Sequence, residues 1–207
     1  MVMSDMYNGA ITIAIEGGEG TGKGTLIKKL KKVYPDAVFA WEPGFGSKRA
    51  LEIRENILKE ERPENDMIHL FALARNEVKH GIPKGTELVF TDRSIISSLV
   101  YQTTYHNDED VLRENERVVN GFRLPDYVIL LTGDVEKIQS RLHNSTRDTN
   151  WLDHKSLSYH KFVDRGYHHI IHKYYDDNSS LVLDNTNLEY SLNPSTIIDW
   201  INSILNH

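Results

Sequence analysis

The sequence has no cysteine in its 207 residues, which excludes a disulfide framework, a thiolate zinc site and a cysteine nucleophile. It has no excess of positive charge either. Its 24 Lys and Arg stand against 30 Asp and Glu, a net charge of −6 at pH 7, so it is not built to coat a nucleic-acid polymer. Small basic pockets for phosphate remain open to it. No stretch approaches the ~18 apolar residues of a membrane span, and Met1 to Asn8 lack the basic start and apolar run of a secretory leader. A soluble, cytoplasmic protein with no membrane partner is expected. At 39% hydrophobic and 26% charged, the chain lies far from compositions that stay disordered, and its length suits one domain over residues 1–207.

What is present is an alternation of short apolar runs with helix-length segments. The runs are Ala10 to Ile15, Ala37 to Trp41, Glu87 to Thr91, Asp126 to Leu131 and Ser180 to Leu183. This pattern predicts an α/β fold with a five-stranded parallel sheet flanked by helices on both faces. Leu26, Ile27, Leu30 and Val33 share one helical stripe. Further helices are predicted over 48–60, 64–80, 95–105, 108–121, 134–143, 154–175 and 195–205, with Gly81 and Pro83 closing the second of these. The polar, aperiodic segment 143–153 reads as a short mobile lid.

Directly after the first run stands Gly17-Gly18-Glu19-Gly20-Thr21-Gly22-Lys23-Gly24-Thr25, which contains G-x-x-x-x-G-K and opens a helix. Glycines let the backbone wrap a phosphate chain with its amides inward, the helix N-terminus adds a positive dipole end, and Lys23 reaches the β- and γ-phosphates. Such a string arises by accident in roughly 6% of chains of this length, and the strand before it and helix after it cut that to about 1%. The G-x-G-x-x-G spacing of a dinucleotide loop is not met. Gly24 stands where the full motif has a magnesium-binding hydroxyl, so the metal must rest on waters, nucleotide oxygens and an outer carboxylate. The ending Gly-Lys-Gly-Thr resembles that of adenylate kinases.

Thr91-Asp92-Arg93-Ser94 ends the third run, where an open α/β sheet binds ligands. Asp92 suits the metal and Arg93 a phosphate. Neither the Asn-Lys-x-Asp nor the Asp-x-x-Gly string of GTPase switches occurs. His168 and His172 lie one helical turn apart without a third ligand in register, and read as a solvated helix face.

Taken together these motifs resemble the thymidylate kinase family over about Ile13 to Tyr167. The resemblance implies a P-loop kinase fold using ATP and Mg2+, and a role for Glu19 near the sugar 3′-hydroxyl. Glu42-Pro43-Gly44 with Arg54 downstream resembles the family's Arg-Glu-Pro-Gly segment. Trp41 takes the place of its arginine and puts Arg49 or Arg54 forward as the substitute. Phe71 and Arg75 match Phe-x-x-x-Arg, in which the ring stacks on the base and the arginine meets a base carbonyl. Asp92 to Gln102 resembles Asp-Arg-Tyr…Ser…Tyr-Gln without a gap. This implies Arg93 on the acceptor phosphate, Ser98 and Gln102 near the base and Tyr101 against the sugar, with Ser94 replacing the usual aromatic. The helix from Asp153 to Tyr167 resembles the stretch after the family's lid. Relatives carry a catalytic arginine in that lid, where this chain has Trp151, so Arg147, then Arg141, is the candidate replacement.

The implied reaction is transfer of the γ-phosphoryl of ATP to dTMP, giving dTDP, with nucleotides as small-molecule partners and a homodimer as the assembly. Competing readings are a deoxynucleoside kinase acting on a 5′-hydroxyl with Glu42 as base, a kinase of broad deoxynucleoside monophosphate specificity, and a catalytically silent nucleotide-binding module.

Overall fold

Parallel strands covered on both faces need apolar side chains on both faces, and the five runs supply them. In the computed structural model, which describes residues 5–60, 62–102, 108–143, 155–187 and 194–206, these runs form one parallel sheet. Its strands are β1 (Ile11–Glu16), β2 (Val38–Trp41), β3 (Leu88–Asp92), β4 (Tyr127–Thr132) and β5 (Ser180–Asp184), in the order β2-β3-β1-β4-β5. The connection from β1 runs to β2 on one side of the sheet and the connection from β3 crosses β1 to β4 on the other, which opens a crevice at the carboxyl end of β1.

The period of two divides β1 between two cores. Ile13 and Ile15 face Leu26 and Leu30 of α1 (Lys23–Val33) and Ile197 and Ile201 of α8 (Pro194–Leu205). Ala14 faces the opposite core with α4 (Ile95–Tyr101), α5 (Asp108–Val118) and α7 (Leu157–Tyr174), through Ile96, Val111, Val163, Tyr167 and Ile170. Between β2 and β3 come α2 (Lys48–Lys59), α3 (Glu64–Asn76) and a 3₁₀ turn (Val78–Gly81); α6 (Val135–His143) follows β4.

The five strands stand where the sequence pattern predicts them; β2 ends with its run at Trp41, and the other four each run one residue further at the carboxyl end than the apolar run. All four added residues are polar or charged. Glu16, Asp92, Thr132 and Asp184 all keep their rungs in the ladder (Ile15↔Asp92, Glu16↔Leu130, Thr132↔Asp184). The last layer of the sheet is therefore hydrophilic and belongs to the crevice. The 64–80 helix divides at Asn76, where Glu77 donates to Ala74 at 3.2 Å and tightens the chain into the 3₁₀ turn. Gly46 packs against the Glu77 carbonyl at that point, so closely that a Cβ on Gly46 would collide with it. The 108–121 helix stops at Val118, ahead of Gly121 at φ 74°. Val33 is 43% exposed although it shares the α1 stripe, because α1 ends there and Tyr34 covers Phe90 instead, ring centroids 5.5 Å apart. The predicted lid, apart from its first residue in α6, lies outside the described residues, as does 103–105 of the fourth predicted helix.

Asn185, just past β5, ties the sheet edge together. Its backbone N–H donates to Thr132 at 2.8 Å and its side-chain amide to the Thr21 carbonyl at 2.6 Å, at 0% exposure. Asn185→Ala leaves a buried carbonyl of the glycine-rich loop unpaired, so we expect a loss of about 1–3 kcal/mol in denaturant unfolding, accompanied by a raised KM for ATP.

Candidate active site

The loop between β1 and α1 has the backbone its glycines were expected to permit. Gly17, Gly20 and Gly22 lie at φ 139°, 78° and 99°, and a Cβ on Gly17 would strike the Leu131 carbonyl. Lys23 bends back over the loop, its Nζ 2.9 Å from the carbonyls of both Gly17 and Gly18. Burial, reinforced by the positive charge of Arg93, lowers its pKa to about 8. A Cβ at Gly24 meets nothing within 4 Å, so the space a hydroxyl ligand would use is present but the ligand is not. Thr25 directs its backbone N–H to Gly22 at 3.0 Å.

Across the crevice, β3 ends in Asp92 and turns through Arg93, whose φ of 66° is left-handed. Its N–H donates to Ile15 at 3.1 Å and its carbonyl accepts from the Thr91 hydroxyl at 2.6 Å, which holds this turn. The guanidinium is ion-paired through Nη2 with Glu19 of the loop. Through Nη1 it reaches Gly17 O, Ser97 Oγ and Tyr167 Oη at 3.3, 3.2 and 3.0 Å. Ser94, in the place of the aromatic, caps α4 by accepting from Ile96 N–H and donates to the buried Glu16 at 2.6 Å.

Arg75 is 2% exposed and sits in a closed network rather than in solvent. Nε donates to Glu42 at 2.7 Å, Nη1 to Asn115 at 2.5 Å and Nη2 to Ser98 at 3.1 Å. Burial raises the Glu42 pKa against the pull of Arg75. Two polar groups beside this network have no partner among the described residues: Glu42 Oε1 and both amide atoms of Gln102, which is 7% exposed. Tyr101 lies under Arg93, 5.4 Å from ring centroid to guanidinium, and Phe71 is half-buried on α3. Arg54 donates to the Pro43 carbonyl at 2.8 Å and stands in the fields of Asp92, Arg93 and Glu19, whereas Arg49 is 65% exposed and faces Glu77. Trp41 is 44% exposed and packs edge-on against Phe45. Asn115 and Tyr167 carry no role in the sequence reading of the site. Asn115 belongs to no motif there, and Tyr167 entered only within the stretch after the lid.

The family model for thymidylate kinase matches residues 15–191. The chain belongs to the thymidylate kinase family. Thymidylate kinases from two strains of Campylobacter jejuni are each 30% identical to it over 164 residues, 77% of this chain and 83% of theirs. The solved structure of thymidylate kinase from Ehrlichia chaffeensis shares the fold, with a TM-score of 0.62 and 21% identity over 85% of this chain and 89% of that one. Thymidylate kinases are phosphotransferases, and ATP with Mg2+ is typical of nucleoside monophosphate kinases. The residues here fit such an ion in one respect. Magnesium keeps several waters and takes one or two carboxylates plus nucleotide oxygens, and Asp92 supplies a carboxylate close enough to act on Lys23. Among the described residues no group of three His, Asp or Glu converges. Of the two lid candidates, Arg141 donates to the carbonyls of Asn185 and Thr186 at 3.0 and 3.2 Å, and Arg147 lies outside the described residues.

Between about pH 8 and the ordinary lysine value, the folded protein carries fewer protons at Lys23 than the unfolded chain, so this group's contribution to stability rises with pH in that window. Phosphate bound beside it reverses the balance. Calorimetric titration with ATP at pH 8.5 in two buffers of different ionisation enthalpy is expected to show net proton uptake. Lys23→Met removes that uptake, and proton release by the wild-type protein would contradict the assignment.

Proposed function

We propose that this protein transfers the γ-phosphoryl group of ATP to dTMP. The single observation that carries the acceptor assignment is the buried polar network in which Arg75 is clamped on three sides beside the amide of Gln102, unpartnered among the described residues. Unpaired buried groups cost about 1–3 kcal/mol each, and a pyrimidine edge answers them. The Gln102 amide can turn to match either thymine or cytosine. Arg75 cannot, because it has donors only; its two remaining N–H groups accommodate a carbonyl and oppose the exocyclic amine of cytosine. Phe71 stacks on the base and Tyr101 lies against the sugar.

In the reaction, Gly17 to Gly22 present backbone amides to the ATP phosphates, and Lys23 turns from the Gly17 and Gly18 carbonyls to the β- and γ-oxygens. Arg93 exchanges Glu19 for the acceptor phosphate, a better partner by charge, and Glu19 is released toward the sugar 3′-hydroxyl. Arg54 adds the second cation that Trp41 does not supply. Asp92 would help hold magnesium, which would supply charge neutralisation on the transferring group. The protein's share is alignment and cations aimed at the equatorial oxygens. Arg147 is the proposed lid cation, with Arg141 second. The homodimer implied by the family resemblance and the cytoplasmic setting expected from the composition belong to this proposal. No helix among the described residues is long and apolar enough to cross a membrane.

A coupled ADP-release assay against all deoxynucleosides and their monophosphates tests this reading. We expect dTMP to be preferred to dCMP by roughly tenfold to a few hundredfold in kcat/KM, and to dUMP by less, since one methyl is worth only about 1 kcal/mol. Arg75→Ala erodes the preference over dCMP more than it affects dUMP. Preference for dCMP or dGMP would refute the thymidylate assignment and leave a kinase. Use of deoxynucleosides alone would point to the 5′-hydroxyl chemistry of Glu42.

A further inference from the structure

We propose that Glu16, Ser97 and Tyr167 are positioning residues for Arg93: they hold its Nη1 edge in place so that the Nη2 edge alone changes partner when the acceptor's phosphate arrives. This rests on the reading that Arg93 receives that phosphate. Glu16 is the last residue of β1, 0% exposed, and both its oxygens accept from serines, Oε1 from Ser94 at 2.6 Å and Oε2 from Ser97 at 2.7 Å. A serine hydroxyl has one proton. With that proton committed to Glu16, the 2.8 Å contact between Ser97 Oγ and Tyr167 Oη has Tyr167 as its donor.

The direction of the chain is then fixed, Tyr167 to Ser97 to Glu16. The lone pairs that remain on Tyr167 and Ser97 both face Arg93, whose Nη1 lies 3.0 and 3.2 Å from them. Gly17 O, at 3.3 Å, is the third acceptor on the same nitrogen. A neutral Glu16 reverses the order, because its own proton would point at a serine and free that serine's proton to turn toward Arg93. Burial raises the pKa of Glu16, while the two serines, Arg93 and Lys23 oppose that rise. Tyr167 is buried and its phenol is held well above its usual range, so it keeps its proton throughout. On Nη2 stands the Glu19 carboxylate, carried by the loop that binds phosphate. One guanidinium thus has an edge with three neutral acceptors and an edge with one anionic partner, and a phosphate dianion competes only for the second.

The test compares Tyr167→Phe and Ser97→Ala with wild type, since both keep the local packing, and adds Glu16→Gln as the more disruptive change. Steady-state KM is measured for dTMP and for ATP, and equilibrium affinity for dTMP and for thymidine, which lacks the phosphate. We expect each of the first two variants to weaken dTMP binding and raise its KM three- to tenfold, with thymidine affinity and the ATP KM unchanged. Equal weakening of dTMP and thymidine means general loss of structure, and unchanged dTMP binding means no positioning; either overturns the proposal. A wild-type protein that does not use dTMP refutes the underlying reading, and this inference with it, before any variant is made.

Discussion

A non-glycine residue in the left-handed region costs on the order of 1 kcal/mol or more, and Arg93 occupies it at φ 66° between the end of β3 and the cap of α4. The bond from Arg93 N–H to the Ile15 carbonyl and the bond from the Thr91 hydroxyl to the Arg93 carbonyl hold the turn against that strain. Its consequence is position. The guanidinium is delivered to the carboxyl end of β1, over the buried Glu16 and against the first glycine of the phosphate loop. The loop, the cap of α4 and the middle of α7 all meet at that one side chain.

Two other cations show how differently charge is managed around it. Lys23 is held by two carbonyls and carries a lowered pKa, so a phosphate beside it favours its charged form. Arg75 is paired with Glu42 at side-chain exposures of 1% and 3%. Removing one member of such a buried pair is strongly destabilising, while the pair as a whole adds little stability over apolar packing. Its value here is orientation. A planar fork held on three sides has a fixed orientation, which the proposed discrimination between pyrimidines requires.

Much of this was legible in the sequence where residues are contiguous. Gly17 to Thr25 and Asp92 to Gln102 each lie on one strand–turn–helix unit, so spacing alone brings their members together. Four strand ends were misplaced by one residue because Glu16, Asp92, Thr132 and Asp184 are polar yet remain in the ladder, where a hydrophobicity pattern stops. The clamp on Arg75 was not legible, since Glu42 and Asn115 are 33 and 40 residues away and share no period with it. Ser94, which departs from the family's aromatic, makes sense only once Glu16 is seen beneath it. The proposal takes up Arg54 rather than Arg49 because α2 turns Arg54 inward and Arg49 to solvent.

The site is proposed to work by Arg93 exchanging one edge and keeping the other. A crystal structure of the protein with dTMP bound measures this directly. The dTMP phosphate is expected on Arg93 Nη2, with Glu19 released from it and the Nη1 contacts with Gly17, Ser97 and Tyr167 intact. A bound dTMP whose phosphate lies elsewhere, with the Arg93–Glu19 pair unbroken, would contradict it.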